Sequence, residues 1–167
     1  LPLLAITSAI TYYTLSTQPN AASGQPPSTG SSVLSLLKQM WVTKHYGPVL
    51  EKGPPGSFDD ARVENPCVIR DGYIYRLYYT AMNTAGEWTI GTAVSNDGLT
   101  WEKHPDPIIT PDMVASLGYR VARVSQPCVI LVDGTYYMFF SAFTKQPWGK
   151  WRNTIFLATS TDGVNFD

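Results

Sequence analysis

The chain has 167 residues, of which 44% are apolar and 13% aromatic; that is room for one ordinary domain with a real core. Charged residues make up 15% and the net charge is -1 with no basic run, which argues against a nucleic-acid partner. Two cysteines cannot build a disulfide framework. No Cys/His spacing suits zinc, and neither a phosphate-cradling glycine loop nor a Gly-x-Ser-x-Gly elbow occurs, so no metal or cofactor is expected.

Residues 1–15 are apolar but interrupted by Pro2, Thr7, Ser8, Thr11 and Thr14, short of the ~18 apolar residues of a spanning helix. They read either as the remainder of a secretory or lipoprotein leader or as an arbitrary fragment start. Residues 16–32 form a Ser/Pro/Gly/Gln-rich linker with too little apolar surface to fold. A leader followed by such a linker suits an exported protein (secreted, cell-surface or periplasmic), and a membrane is expected to matter only through that leader or anchor. Residues 33–167 carry the folded domain, with no amphipathic helix beyond a turn at 33–40.

That domain is built on a repeat. Ala61-Arg62-Val63-Glu64-Asn65-Pro66-Cys67-Val68-Ile69 returns as Ala122-Arg123-Val124-Ser125-Gln126-Pro127-Cys128-Val129-Ile130, different only at the fourth and fifth positions. Asp71-Gly72 and Asp133-Gly134 follow as turn signals, then the aromatic runs 73–81 and 135–142, which read as strands. After a polar loop, 89–95 parallels 155–160, and both run into Asp-Gly at Asp97-Gly98 and Asp162-Gly163. Outer strands start at Trp41 and Trp101, and the aromatic marker recurs at Phe166, a period of roughly 60–65 residues. Four short antiparallel strands per period make an all-β chain with the anatomy of β-propeller blades, about two of them. A ring needs about four to eight blades, so the chain reads as part of a longer propeller. A two-sheet sandwich made by duplication is the alternative. Cys67 and Cys128, at one repeat position, read as a small buried residue used twice.

The run Pro48–Asp60, followed by Val-x-x-Pro-x-Val-Ile, Asp-Gly, an aromatic strand and Ser-x-Asp-Gly-x-x-Trp, resembles the five-bladed propeller glycosidases of families 43, 32 and 68 and their relatives. The likeness covers about residues 41–167. It implies a glycoside hydrolase-like domain acting on oligo- or polysaccharides, with paired carboxyl groups across the scissile bond. In the resembled families an Asp before Pro on the first inner strand is base or nucleophile, a second Asp-Pro positions substrate, and a third-blade Glu is the acid. Here Asn65 and Gln126 stand before the prolines. An amide cannot serve as general base, but it can donate to and accept from sugar hydroxyls. A non-catalytic carbohydrate-binding propeller, and a structural or protein-binding one, are therefore the rival readings.

The remaining carboxylates near these strands are the catalytic candidates, Asp60 and Glu64. Strand alternation turns Glu64 to the face opposite Asn65. Asp59 sits beside Asp60 in the entering loop. Arg62 and Arg123 recur at one repeat position, as sugar contacts or as inter-blade ion pairs. Arg120 has no repeat counterpart except Asp59 or Asp60. Trp88, Trp148 and Trp151 offer stacking faces for sugar rings or fill loops. Asp59, Arg62, Asn65, Trp88, Arg120, Arg123 and Gln126 are thus the candidate substrate-binding residues. Asp97 and Asp162 read as turn-forming residues with an aromatic packed beneath. His45 and His104 are equivalent outer-strand positions one blade apart, which argues against a metal pair.

Overall fold

The computed structural model describes residues 47–167. The expected leader, linker, turn at 33–40 and outer strand at Trp41 lie outside the described residues.

The repeat folds as two antiparallel sheets. In the first, β1 (Arg62–Asp71), β2 (Ile74–Met82), β3 (Trp88–Ser95) and β4 (Glu102–Lys103) lie side by side in chain order. In the second, β5 (Arg120–Val132), β6 (Thr135–Lys145) and β7 (Trp151–Ser160) do the same. Beyond β7, Asp167 and Thr159 exchange both backbone hydrogen bonds at 2.9 Å, so pairing continues past its outer edge. These are the blades expected from the sequence.

The first hairpin of each sheet turns at its Asp-Gly signal, but one residue apart: in the first sheet Asp71 faces Ile74 across Gly72 and Tyr73. In the second sheet Val132 faces Thr135 across a two-residue loop, Asp133 and Gly134, whose φ angles are 49° and 78°. Two positive φ values in a two-residue loop give the turn whose twist matches that of the flanking strands, and Asp-Gly is a favoured pair for it.

The strands are apolar on both faces because each blade is made to be packed from both sides. Tyr78 and Ile90 of the first sheet meet Val124, Val129, Met138, Phe140 and Ala142 of the second in one buried cluster. On the far side of the first sheet, Leu77, Tyr79, Ala81 and Ala93 form a second, smaller cluster. The far side of the second sheet leaves Phe139, Ile155 and Leu157 exposed. One element was not expected: helix α1 (Pro111–Ala115) bridges the two sheets. Thr110 caps it, accepting from the Met113 N–H, and proline occupies its first turn. Val114 plugs it into the inter-sheet cluster. Five residues are too few to show a helical period.

Candidate functional site

Each inner strand, β1 and β5, breaks at its variable dipeptide. On β1 the register with β2 shifts between Glu64 and Cys67, and on β5 the register with β6 shifts between Ser125 and Cys128. Asn65 and Gln126 sit in these bulges with φ of 51° and 57°. That left-handed conformation is ordinarily given to glycine, and Gln is a rarer occupant than Asn. The following prolines lack an N–H and are tolerated because the ladder is already interrupted. The Gln126 N–H donates instead to the buried Thr80 hydroxyl at 2.7 Å, tying the second blade's bulge to the first blade.

The bulges converge. Glu64, Asn65, Trp88, Arg123, Ser125, Gln126 and Asn153 line a polar cleft of about 150 Å³ between the inner strands. Both variable dipeptides thus meet in one place. The expected opposition of Glu64 and Asn65 does not hold, because period-2 alternation fails across a bulge and both residues line the cleft. Arg62 lies beside it, 3.8 Å from the Glu64 carboxylate and 5.5 Å from the Trp88 ring centroid. Arg123 stacks over Phe143 at 4.8 Å. Asn153, in β7, was missed by sequence reasoning, although the repeat aligns it with Trp88 of β3: Trp88 pairs with Met82 and Asn153 with Phe143.

The other candidates lie elsewhere. Asp59 is fully buried and accepts from Ser57 at 2.9 Å and from the Tyr79 hydroxyl at 3.2 Å, and it pairs with Lys103 of β4. Asp60 accepts from the Gly56 N–H at 2.8 Å, the Thr84 N–H at 2.7 Å and the Thr84 hydroxyl. The Gly56 bond, and then those from Thr84, hold its carboxyl below the usual range against the opposing effect of burial. These two acids knit the 53–60 loop to the first blade, and neither lines the cleft. Arg120 is exposed at the start of β5 and is not among the cleft residues either. Trp148 is exposed in the β6–β7 loop, and Trp151 stacks on Phe143 at 5.5 Å.

Asp97 and Asp162 have the turn role expected of them. Asp97 accepts from the Leu99 and Thr100 N–H groups, and Asp162 from those of Val164 and Asn165, all at 2.8 Å. The cysteines depart from expectation: Cys67 is half-buried and Cys128 exposed. His104 binds backbone of its own turn through Nδ1, 2.9 Å from the Asp106 carbonyl oxygen. Among the described residues no cluster of His, Cys, Asp or Glu has the makings of a metal site.

Comparison with known proteins gives these features a context. The family model for glycoside hydrolase family 130, described as β-1,4-mannooligosaccharide phosphorylase, matches residues 56–162. An uncharacterized protein of Mycobacterium tuberculosis is 33% identical over 129 residues, 72% of this chain and 41% of the relative. A β-1,2-mannobiose phosphorylase of Thermoanaerobacter sp. is 25% identical over 118 residues, 63% of this chain and 38% of that protein. The chain therefore spans about two fifths of the curated relatives it matches. Among solved structures, a candidate glycoside hydrolase from Bacteroides ovatus superposes with a TM-score of 0.63 at 19% identity, covering 74% of this chain and 38% of that one. The fold is that of the β-propeller glycosidases. The matching family is 130, not one of the three, 43, 32 and 68, that the motifs had suggested.

Proposed function

The chain belongs to glycoside hydrolase family 130, and from that premise we propose that the complete protein acts on β-mannosidic bonds of oligosaccharides, with the β1–β5 cleft forming part of its sugar site. The observation that carries this is the convergence of Glu64-Asn65 and Ser125-Gln126 on one polar cleft. Non-glycine residues held in a strained backbone region persist where their side chains are needed. The cleft offers amides and guanidinium groups for sugar hydroxyls, and an indole face at Trp88 for a ring. At about 150 Å³ it falls below the ~300 Å³ of a complete small-molecule site, as suits a wall shared with other blades.

Breaking the bond requires a proton on the leaving oxygen while phosphate or water attacks the mannosyl carbon. Glu64 is the carboxyl group in the cleft, and we assign it proton handling or substrate orientation. Asp60 and Asp59 are assigned to the loop. A second reading, glycan binding without turnover, is favoured by the amides at 65 and 126. The protein is further proposed to be exported by its apolar start, which cell fractionation tests. Incubating the complete protein with β-1,2- and β-1,4-mannobiose, with and without phosphate, separates the readings. Mannose 1-phosphate marks phosphorolysis and free mannose marks hydrolysis. Binding without either product supports the second reading, and neither binding nor product overturns both.

A further inference from the structure

Behind the cleft, one side chain reaches both variable dipeptides. Thr80 of β2 is fully buried and is not itself among the cleft residues. Its register partner on β1 is Glu64, which sets the two Cβ atoms about 5 Å apart. From the facing blade, the Gln126 N–H donates to the Thr80 hydroxyl at 2.7 Å. Gln126 lies outside the β5–β6 register, which shifts between Ser125 and Cys128, and it holds a φ of 57°. An N–H released from its ladder by a bulge needs another acceptor, and the Thr80 oxygen supplies it. We propose that Thr80 is a positioning residue of the sugar site, holding the Gln126 amide where Glu64 and Asn65 can share a ligand with it. The inference rests on the β1–β5 cleft being that site.

The residue type suits the task. A β-branched side chain on a strand has little χ1 freedom, so the hydroxyl oxygen is aimed in advance. Valine has the same shape and no acceptor, whereas serine keeps the acceptor without the second branch. A left-handed φ at Gln is disfavoured and persists only where the surroundings hold it. Without the Thr80 oxygen, the Ser125–Pro127 segment is free to relax away from the first blade, and the Gln126 side chain moves with its backbone. Misplacing a substrate-holding group by about 1 Å can cost about a hundredfold in rate. A residue that never meets the sugar can therefore govern turnover. Thr92 provides the contrast. It is also buried in the first blade, but its hydroxyl donates to the Leu77 carbonyl at 3.0 Å and so braces only its own sheet.

Variants of the complete protein test this, each read by amide hydrogen exchange at Gln126 and by turnover of β-mannobiose. Thr80→Val is expected to speed Gln126 exchange at least about fivefold. It should also lower kcat/KM, or mannobiose affinity if the protein binds without turnover, at least about tenfold. Thr80→Ala, which removes the acceptor without adding a methyl group, should behave alike. Thr80→Ser should restore slow exchange and most of the activity. Thr92→Val should lose comparable stability yet keep wild-type exchange at Gln126 and wild-type kcat/KM, which separates positioning from a general loosening of the blade. Unchanged Gln126 exchange in Thr80→Val, unchanged activity in that variant, or equal activity losses in Thr80→Val and Thr92→Val would overturn the proposal. A wild type that neither binds nor turns over mannobiose marks a different failure. The sugar-site reading then falls and takes this role with it, whatever Gln126 exchange shows.

Discussion

The two blades are copies that agree where the backbone is constrained and part company where side chains face a cleft or a loop. Both have the bulge, the Pro-Cys pair, the Asp-Gly hairpin and the Ser-x-Asp-Gly turn. At the entry to the inner strand they differ: Asp59 and Asp60 lead into β1, whereas Arg120 and Val121 occupy those positions as the first residues of β5. The first entry is a buried, hydrogen-bonded loop, and the second pairs an exposed Arg120 with a Val121 packed on the inter-sheet core, and is approached through helix α1. Equal sequence thus marks scaffold, and unequal sequence marks either local bracing or the cleft.

The largest expected break in this comparison is at the entries. Asp59→Ala removes a buried carboxylate and strands Lys103, so unfolding in urea should show a loss of about 3 kcal/mol. Arg120→Ala, at the matching but exposed position, should stay within about 0.5 kcal/mol. Comparable losses at the two positions would mean that the entries are not different in kind.

The paired turns give the next contrast. Gly98 and Gly163 share φ values of 74° and 73°, but a Cβ on Gly98 meets open space, with its nearest neighbour at 4.0 Å. On Gly163 it would lie 2.8 Å from the Tyr136 ring and 2.9 Å from Arg76. The Gly163 carbonyl also accepts from the buried Tyr78 hydroxyl at 3.0 Å. Gly98→Ala should cost about 1 kcal/mol from backbone strain alone, and Gly163→Ala about 2–3 kcal/mol once overpacking is added. Thermal melts of the two variants separate these cases.

The cleft itself should show the opposite sign. Gln126→Gly relieves a left-handed φ and is expected to raise stability by up to about 1 kcal/mol while removing a side chain from the cleft. Asn65→Gly should gain less, because Asn tolerates that region better. A loss of stability in both would show that these side chains brace the fold.

The smallest effect separates the two Asp-Gly turns by pH. Asp162 is held far below the usual carboxylate range, first by the Asn165 side chain at 2.7 Å and then by backbone N–H groups. Asp97 is lowered mainly by the Thr100 and Leu99 N–H groups. A depressed carboxylate contributes stability in full above its unfolded value of about 3.9 and loses it as pH falls through the folded value. NMR titration should therefore find Asp97 protonating at higher pH than Asp162, and Asn165→Ala should bring the two together.

Much of the architecture was legible because a repeat states its own register. The strand order, the Asp-Gly turns and the two-blade count follow from aligning two stretches of one chain. The bulges were not legible: nothing in Glu64-Asn65-Pro66 announces a positive φ, and without it the alternation rule sent Glu64 to the wrong face. Helix α1 was too short for a period, and Asn153 was passed over because its residue type differs from Trp88, the position the repeat aligns it with. Asp59 and Asp60 looked like pocket-rim acids because sequence adjacency to an inner strand says nothing about Lys103, more than forty positions away. Of the sequence-derived site, the variable dipeptides, Trp88 and Arg123 came together, with Arg62 beside them.

The most direct test is the turnover of β-mannobiose by the complete protein and by its Asn65→Ala and Gln126→Ala variants, with stability measured in parallel. Losing one sugar hydrogen bond of about 1.4 kcal/mol lowers kcat/KM about tenfold. Each variant should fall by at least that factor while remaining folded. Unchanged kcat/KM in both would contradict placing the sugar site at the β1–β5 cleft.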